Sequence, residues 1–237
     1  MAKWVPGRLT GALVIVIAVL AVVNVVDVRV PHAALVLGPA GAAGLLALAR
    51  WAGLSWPDLG LGRGTWRRGL RWGGAAIGAV AVVFAVGAAL PLTRSAFRDS
   101  RYDFGWGHAL LTAFVLIPVG TVLFEEVAFR GVLWGLLQRR HGPWVATGVS
   151  SALFGLWHVL PSLGLAADDQ AIGAAVGTGS SGQAVSVLGT VLFTTLAGVV
   201  FCELRRRSGS LLGPAGLHWA TNALGVLAAT AIWMWAT

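Results

Sequence analysis

The chain has 237 residues, of which 57% are hydrophobic and only 11% are charged. Soluble globular proteins carry about 25% charged residues, so this composition excludes an ordinary soluble fold. The formal net charge of +8 would suit a nucleic-acid partner, but the basic residues stand in short clusters beside apolar runs, where anionic lipid headgroups explain them better. We therefore expect contact with membrane lipids and none with nucleic acid.

Apolar runs long enough to cross a bilayer recur along the whole sequence. A helix rises about 1.5 Å per residue and the hydrocarbon core is about 30 Å thick, so one span needs about 20 mainly apolar residues. The sequence predicts an all-α transmembrane bundle of about seven spans, with six to eight as the range, in a single membrane domain over residues 1–237. The predicted spans are Leu9–Val26, Ala33–Ala49, Trp72–Leu90, His108–Leu137, Trp144–Leu160, Ala184–Cys202 and Leu211–Trp235.

Three stretches depart from this regular pattern. The fourth predicted span is too long for one perpendicular helix and contains Pro118, so it is expected to tilt, kink or extend beyond the membrane. Residues 54–71 mix tryptophan and leucine with four arginines, a pattern typical of an interfacial amphipathic segment. Residues 161–183 are rich in Gly, Ala and Ser, which predicts a flexible outward-facing loop.

The distribution of basic residues between alternate loops predicts the orientation. Lys and Arg number 12 on the side that holds the N-terminus and 4 on the opposite side. Cytoplasmic loops carry the excess of Lys and Arg, so the N-terminus is expected in the cytosol. We expect the inner plasma membrane as the location.

Polar residues inside the predicted spans are few and fall on three helices. Ionisable residues at membrane depth are costly and are therefore candidates for function. The fourth span carries Glu125, Glu126 and Arg130, the fifth carries Phe154 and His158, and the seventh carries His218 and Asn222.

Counting along each helix places four of these side chains at comparable depths. Glu125 lies roughly 21 Å before Arg139 and His158 roughly 21 Å after Trp144, two residues near the predicted cytosolic ends of their helices. His218 and Asn222 lie roughly 11 and 17 Å after Leu211. The four are therefore expected to meet on the cytosolic half of the membrane or near its centre. Residues 108–222 would then hold the catalytic core helices.

Helix geometry separates the roles of the two adjacent glutamates. Neighbouring residues of a helix point about 100° apart, whereas residues four apart share a face. Glu126 is therefore expected to pair with Arg130 and to serve as structural support. Glu125 is left without a local partner and is the better candidate base.

The remaining residues complete a hydrolytic arrangement. Glu125 and His158 converging on one water would remove its proton, while His218 and Asn222, which share a helix face, would stabilise an oxyanion on an amide carbonyl. Glu125, His158 and His218 would also serve as zinc ligands. The sequence has no His-Glu-x-x-His spacing that would make zinc the default, so the residues alone leave the metal undecided.

These motifs, Glu-Glu-x-x-x-Arg, Phe-x-x-x-His and His-x-x-x-Asn in this order, resemble those of the CAAX protease and bacteriocin-processing (CPBP or Abi) family of intramembrane peptidases. The resemblance covers about Leu54 to Asn222. It implies a helical membrane fold, a peptidase site within the bilayer, Glu125 and His158 as water activators, and His218 and Asn222 as the oxyanion site. The family is often described as metalloproteases, so the resemblance also allows zinc or another divalent metal.

We therefore predict an intramembrane endopeptidase that cleaves membrane-associated or lipid-modified peptides at a site opening towards the cytosol. The alternative is a non-catalytic or transporter-like protein that uses the same polar cluster to bind a ligand or ion.

Overall fold

A computed structural model describes residues 6–30 and 32–235. Within these ranges every regular element is helical, and the only strand-like pairing is an isolated bridge between Asp99 and Asp169. The predicted all-α architecture is confirmed. Two parts of the predictions lie outside the described residues. They are Lys3, which contributes to the charge count above, and the last two residues of the predicted membrane domain.

Three long helices open the chain. They are α1 (Pro6–Arg29), α2 (Ala34–Trp51) and α3 (Trp66–Ala89). Proline is favoured at the first position of a helix, where its missing N–H costs nothing, and Pro6 begins α1 in this way. The three helices correspond to the first three predicted spans, with ends that extend a few residues beyond the predicted bounds on most sides.

The centre of the chain is a helical segment that covers Trp106–Trp157. It consists of α4 (Trp106–Leu111), a π-helical stretch (Thr112–Val122) around Pro118, α5 (Leu123–Glu125), a second π-helical stretch (Glu126–Leu133) and α6 (Trp134–Trp157). A proline removes one backbone hydrogen bond and clashes with the preceding turn, which accounts for the irregular winding near Pro118. π-Helical turns are frequent at functional sites, and the second stretch carries both Glu126 and Arg130.

The chain reverses direction inside α6. Gly142 has a left-handed φ of 80°, a conformation that glycine adopts without steric cost. Side chains before and after it pair across a helical hairpin: the Trp134 indole N–H donates to the Thr147 hydroxyl, and the Ser150 hydroxyl donates to the Phe129 carbonyl. The fourth and fifth predicted spans are thus two antiparallel limbs of one segment. The limb that corresponds to the fifth predicted span ends at Trp157 rather than at Leu160.

The C-terminal third contains five helices. They are α7 (Leu165–Asp168), α8 (Gln170–Val176), α9 (Ser180–Ser208), α10 (Leu212–Trp219) and, after a π-helical stretch (Ala220–Leu224), α11 (Gly225–Trp235).

The number of spans differs from the predicted seven. Five helical segments of the described chain are each long and apolar enough to cross a membrane. The difference has two causes. One of the five segments contains both limbs of the hairpin at Gly142, and the predicted seventh span, which runs through α10, the π-helical stretch and α11, is not among the five.

The stretch 161–183 is folded, which corrects the expectation of a flexible loop. It contains α7 and α8, and the Asp169 carboxylate accepts a hydrogen bond from the Ile172 N–H at the start of α8. The Gln183 side chain joins the start of α9 to the backbone of Ser162 and Gly164. A composition rich in small residues was compatible with short helices because alanine is a strong helix former.

The stretch 54–71 contains two different structures. Leu54 and Leu59 are fully buried in a connecting segment, whose backbone carbonyls at Pro57 and Asp58 accept hydrogen bonds from the Arg205 guanidinium of α9. The remainder, from Trp66 onwards, is the first part of α3. The interfacial location of this stretch stays a prediction.

Small residues allow close helix contacts on both sides of the bundle. A Cβ atom on Gly155 of α6 would lie 2.7 Å from the Val191 carbonyl oxygen of α9, and one on Gly73 of α3 would lie 2.6 Å from the Leu212 carbonyl oxygen of α10. Small residues at such crossings are typical of membrane helix packing. The α6–α9 contact fixes the end of α6, where His158 stands.

The outer surface of the bundle is apolar. Large hydrophobic side chains such as Val14, Val82, Phe193 and Leu196 are more than half exposed, whereas Glu125, Glu126 and Arg130 are buried. A soluble monomer rarely exposes contiguous apolar surface on this scale. This arrangement is that of an integral membrane protein.

The orientation is open to a direct test. With reporters fused after Arg140 and after Arg207, and another inserted at the exposed Gly177, we expect the first two to be cytosolic and the third external, because of the excess of basic residues in the corresponding loops. Cysteine accessibility or enzyme reporters provide the measurement. An external reporter after Arg207 would contradict the predicted orientation.

Candidate active site

The structure brings the four predicted catalytic residues to one cavity. Glu125 ends α5, His158 follows α6, His218 lies in α10 and Asn222 lies in the following π-helical stretch. All four line a cavity of ≈ 250 Å³. Its other polar lining residues are Asn24, Asp27, Tyr102 and Thr121; we call this space the polar cavity.

Glu125 is buried and only partly hydrogen-bonded. The residue is 6% exposed, and its Oε1 atom accepts a hydrogen bond of 2.9 Å from the indole N–H of Trp157. This donor lies 32 residues further along the chain, on α6, and is therefore a distant partner rather than a local one. The other oxygen, Oε2, has no hydrogen-bond partner and lies 3.7 Å from Nε2 of His218. A buried carboxylate oxygen without a donor is available to accept a proton or a water.

The hydrogen bond of His158 determines which of its nitrogens is free. Its Nδ1 lies 2.8 Å from the carbonyl oxygen of Phe154, one turn earlier. A carbonyl can only accept, so Nδ1 carries the proton and donates it. In the neutral ring Nε2 then keeps its lone pair and can accept a hydrogen bond from water.

His218 is held by Glu126 and by an aromatic ring. Nδ1 of His218 donates to Oε1 of Glu126 at 2.8 Å, and the imidazole stacks on Phe201 with ring centroids 5.2 Å apart. The second nitrogen is thereby directed towards Glu125. The sequence assigned Glu126 to Arg130 alone, and the contact with His218 corrects this.

The predicted pair of Glu126 and Arg130 is present. Nη1 of Arg130 lies 3.2 Å from Oε1 of Glu126, and both side chains are almost fully buried. The guanidinium lies 3.9 Å from the ring centre of Phe154 and 4.6 Å from that of Phe201. Because Arg130 has two nitrogens without hydrogen bonds, these cation–π contacts are its main further stabilisation. Phe154 therefore supports the arginine as well as the histidine that follows it.

The charges of the cluster can cancel. Glu125 and Glu126 supply two negative charges, Arg130 supplies one positive charge, and a protonated His218 supplies the second. Burying a charge is costly unless it is paired. An imidazolium at His218 would therefore leave the buried cluster formally neutral.

A second, larger cavity adjoins the same catalytic residues. It has a volume of ≈ 570 Å³ and shares His158, His218 and Asn222 with the polar cavity. Most of its other lining side chains are apolar, including Phe84, Phe193, Leu196, Val200 and Leu217. We call it the apolar cavity. The two histidines and the asparagine thus form the boundary between a polar and an apolar space.

The polar cavity lies at an unexpected end of the bundle. Asp27 is near the end of α1, Tyr102 lies in the connection between α3 and α4, and Pro161 follows α6. The charge distribution places this end outside, whereas the sequence analysis expected the site to open towards the cytosol. The two expectations exclude each other for this cavity, and the reporter experiment above decides between them.

Metal ligation has little support in the described residues. No group of three or more His, Cys, Asp or Glu side chains in the described ranges is arranged to hold a metal ion. Catalytic zinc sites use three protein ligands. In the described residues Glu125, His158 and His218 do not form such a group, and the steps proposed below use no metal.

Trp157, Asn24 and Asp27 were missed by the sequence analysis. A signal for Trp157 was available: it precedes His158 at the end of an apolar helix, and a buried indole N–H usually finds an acceptor. The Nδ2 group of Asn24 donates to the Trp157 carbonyl at 2.9 Å and so joins α1 to the site. No local sequence pattern in α1 predicts this contact, because the contact depends on which helix packs beside α6.

Comparison with known families agrees with this arrangement. A family model described as type II CAAX prenyl endopeptidase Rce1-like matches residues 105–224, just over half of the chain. The chain belongs to the Rce1-like family. All four predicted catalytic residues and both members of the buried ion pair lie within the matched region, whereas Asn24 and Asp27 lie outside it. No curated protein and no solved structure matches the chain.

Membership of the Rce1-like family establishes the general class. The chain is an integral membrane protein of a family of CAAX-type intramembrane proteases, a hydrolase class that acts on peptides in a lipid environment. The resemblance predicted from the three motifs is confirmed at the level of the family.

The buried pair of Glu126 and Arg130 can be tested by a double-mutant cycle. Glu126→Gln should lower the free energy of unfolding by about 3–5 kcal/mol, because it leaves a buried guanidinium without its counter-charge. Adding Arg130→Gln should recover part of this loss. Thermal or denaturant unfolding in detergent is the measurement.

The contact with His218 adds a second readout to the same cycle. Glu126→Gln should also reduce turnover, and Arg130→Gln should not restore it, because the double variant still lacks the carboxylate beside His218. Equal unfolding free energies for Glu126→Gln and the wild-type protein would contradict the assignment.

Proposed function

We propose that this chain is an intramembrane endopeptidase that hydrolyses membrane-associated or lipid-modified peptides through a water molecule activated by Glu125 and His158. The observation that carries the proposal is that Glu125 and His158 line one polar cavity and that each has an acceptor atom without a hydrogen bond, Oε2 and Nε2 respectively. The second carboxylate oxygen of Glu125 is bound by Trp157, and the second ring nitrogen of His158 is bound by the Phe154 carbonyl. These two hydrogen bonds hold the side chains in fixed orientations.

The first step is removal of a proton from water. Water bound between the two acceptors donates one hydrogen bond to each. Glu125 takes one proton while the oxygen attacks the amide carbonyl carbon of the peptide, forming a C–O bond. A positioned general base of this kind contributes about 10²- to 10⁴-fold to the rate.

The second step is stabilisation of the oxyanion. The Asn222 amide supplies one N–H. His218 supplies the other from Nε2, which requires the protonated ring because Nδ1 already donates to Glu126. The negative charge of Glu126 stabilises this imidazolium. Fixed donors of this kind act where charge develops in the transition state.

The third step breaks the peptide bond. Glu125 returns its proton to the amine nitrogen as the C–N bond breaks, so the products are one carboxylic acid and one amine and the enzyme regains its starting protonation. Glu125 thus acts first as a base and then as an acid.

The apolar cavity is suited to the membrane-associated part of the substrate. Its walls of Phe84, Phe193 and Leu196 would accept an apolar side chain or a lipid group with little loss of solvation. The peptide carbonyl would then lie at the boundary where His158, His218 and Asn222 stand. We place the enzyme in the inner plasma membrane, as the sequence analysis predicted.

Glu125→Gln and Asn222→Ala test the chemistry. Glu125→Gln should abolish turnover, because glutamine still accepts the Trp157 hydrogen bond but does not act as a base. Asn222→Ala should lower turnover about 10²- to 10³-fold, as is typical for the loss of one oxyanion donor. Turnover of membrane-tethered peptides and a melting curve for each variant provide the measurements.

Two results of this test would contradict the proposal. Wild-type turnover in Glu125→Gln would refute its role as the base. Lack of any cleavage by the wild-type protein across a tethered-peptide library, with specific binding of a ligand or ion, would favour the non-catalytic alternative.

The absence of a metal step gives a separate prediction. Purified protein should contain no stoichiometric zinc, and a chelator should leave turnover unchanged, because the described residues offer no three-ligand site. Elemental analysis is the measurement. Stoichiometric zinc that disappears in His158→Ala would instead support the metalloprotease mechanism.

A further inference from the structure

The polar cavity contains a carboxylate that the proposed reaction does not use. Asp27 lies on α1, outside the region that matches the Rce1-like family, and lines the same cavity as Glu125, His158, His218 and Asn222. Asn24 lines it one helical turn earlier, on the same face of α1. A side chain at this place is positioned to contact a substrate that extends from the catalytic residues.

The cavity lacks a basic side chain to balance Asp27. No lysine or arginine is among the residues that line it. The nearby Arg29 is two residues further along α1 and therefore points to a different face of the helix. Arg101 is engaged elsewhere, since its guanidinium pairs with Asp99 at 2.6 Å.

Three other polar lining groups are neutral. Thr121 and Asn24 are neutral. Burial raises the pKa of Tyr102, so its hydroxyl stays neutral. Asp27 therefore adds a negative charge to a cavity whose lining contains neither lysine nor arginine. Glu125, whose Oε2 has no hydrogen-bond partner, lines the same cavity.

The position of the boundary restricts how a peptide can lie. His218 and Asn222 line both cavities, so a carbonyl held by these two residues would lie between the two spaces. An apolar or lipid-modified group would enter the first. The neighbouring group would enter the second, where a positive charge gains from Asp27 and a negative charge is repelled.

We infer that Asp27 is a specificity residue, and that the polar cavity binds a positively charged group, a lysine or arginine side chain or a free amine, next to the scissile bond. This inference rests on the proposed peptidase activity. It names a substrate class with an apolar or lipid-modified group on one side of the cleaved bond and a basic group on the other.

The test uses full-length protein in lipid nanodiscs and fluorogenic peptides with one common lipid anchor. The peptides differ at a single position beside the scissile bond, which carries Lys, Gln or Glu, and each side of the bond is varied in turn. For one side we expect kcat/KM for the Lys peptide to exceed that for the Gln peptide roughly tenfold, and the Glu peptide to be the poorest.

Variants at Asp27 assign the preference to this residue. Asp27→Asn should remove the advantage of the Lys peptide over the Gln peptide, Asp27→Glu should retain it, and Asp27→Lys should favour the Glu peptide. The last outcome is a gain that misfolding does not produce. The matched control is Asp103→Asn, which removes the same charge from an exposed position near Tyr102 that does not line the cavity and should keep the wild-type preference.

The outcomes separate the two proposals. If the wild-type protein cleaves none of the peptides, the proposed function fails. If it cleaves them without a preference for Lys, or if Asp27→Asn keeps that preference, the peptidase proposal stands and the inference about Asp27 is overturned.

Discussion

The site depends on one buried carboxylate. Oε1 of Glu126 contacts both the Arg130 guanidinium at 3.2 Å and Nδ1 of His218 at 2.8 Å. It therefore joins α10 to the π-helical stretch that follows α5. An uncompensated charge at this depth would be strongly destabilising, so arginine and glutamate require each other. The same contact fixes the ring of His218, so the interaction that permits burial of the arginine also orients a candidate catalytic group.

Aromatic side chains complete this cluster without adding charge. Phe154 contacts the rings of His158 and His218 and the guanidinium of Arg130. Phe201 of α9 stacks on His218 and also lies over Arg130. The face of an aromatic ring attracts a cation. The cluster is thus held by contacts from three parts of the chain.

Irregular helical geometry places these groups. Asn222 and the pair of Glu126 and Arg130 lie in π-helical stretches, and His158 stands where α6 ends. The hairpin at Gly142 brings Trp157 back to Glu125, 32 residues earlier in the chain. Close contact of α6 with α9 at Gly155 sets the position of that helix end. A bundle of uninterrupted α-helices with the same sequence would point these side chains in other directions.

The sequence by itself determined the all-α membrane fold, the helix bearing each polar residue, the pairing of Glu126 with Arg130 and the family. The first three follow from composition, hydropathy and spacing along one helix, which are local properties, and the family follows from the resemblance of the three ordered motifs. Tertiary structure alone decided the contacts of Glu126 with His218 and of Trp157 with Glu125. It also decided that residues 161–183 are folded and that Asp27 lines the polar cavity. Each of these joins segments far apart in the chain, and their meeting is set by helix packing and by the reversal at Gly142, which no local spacing encodes.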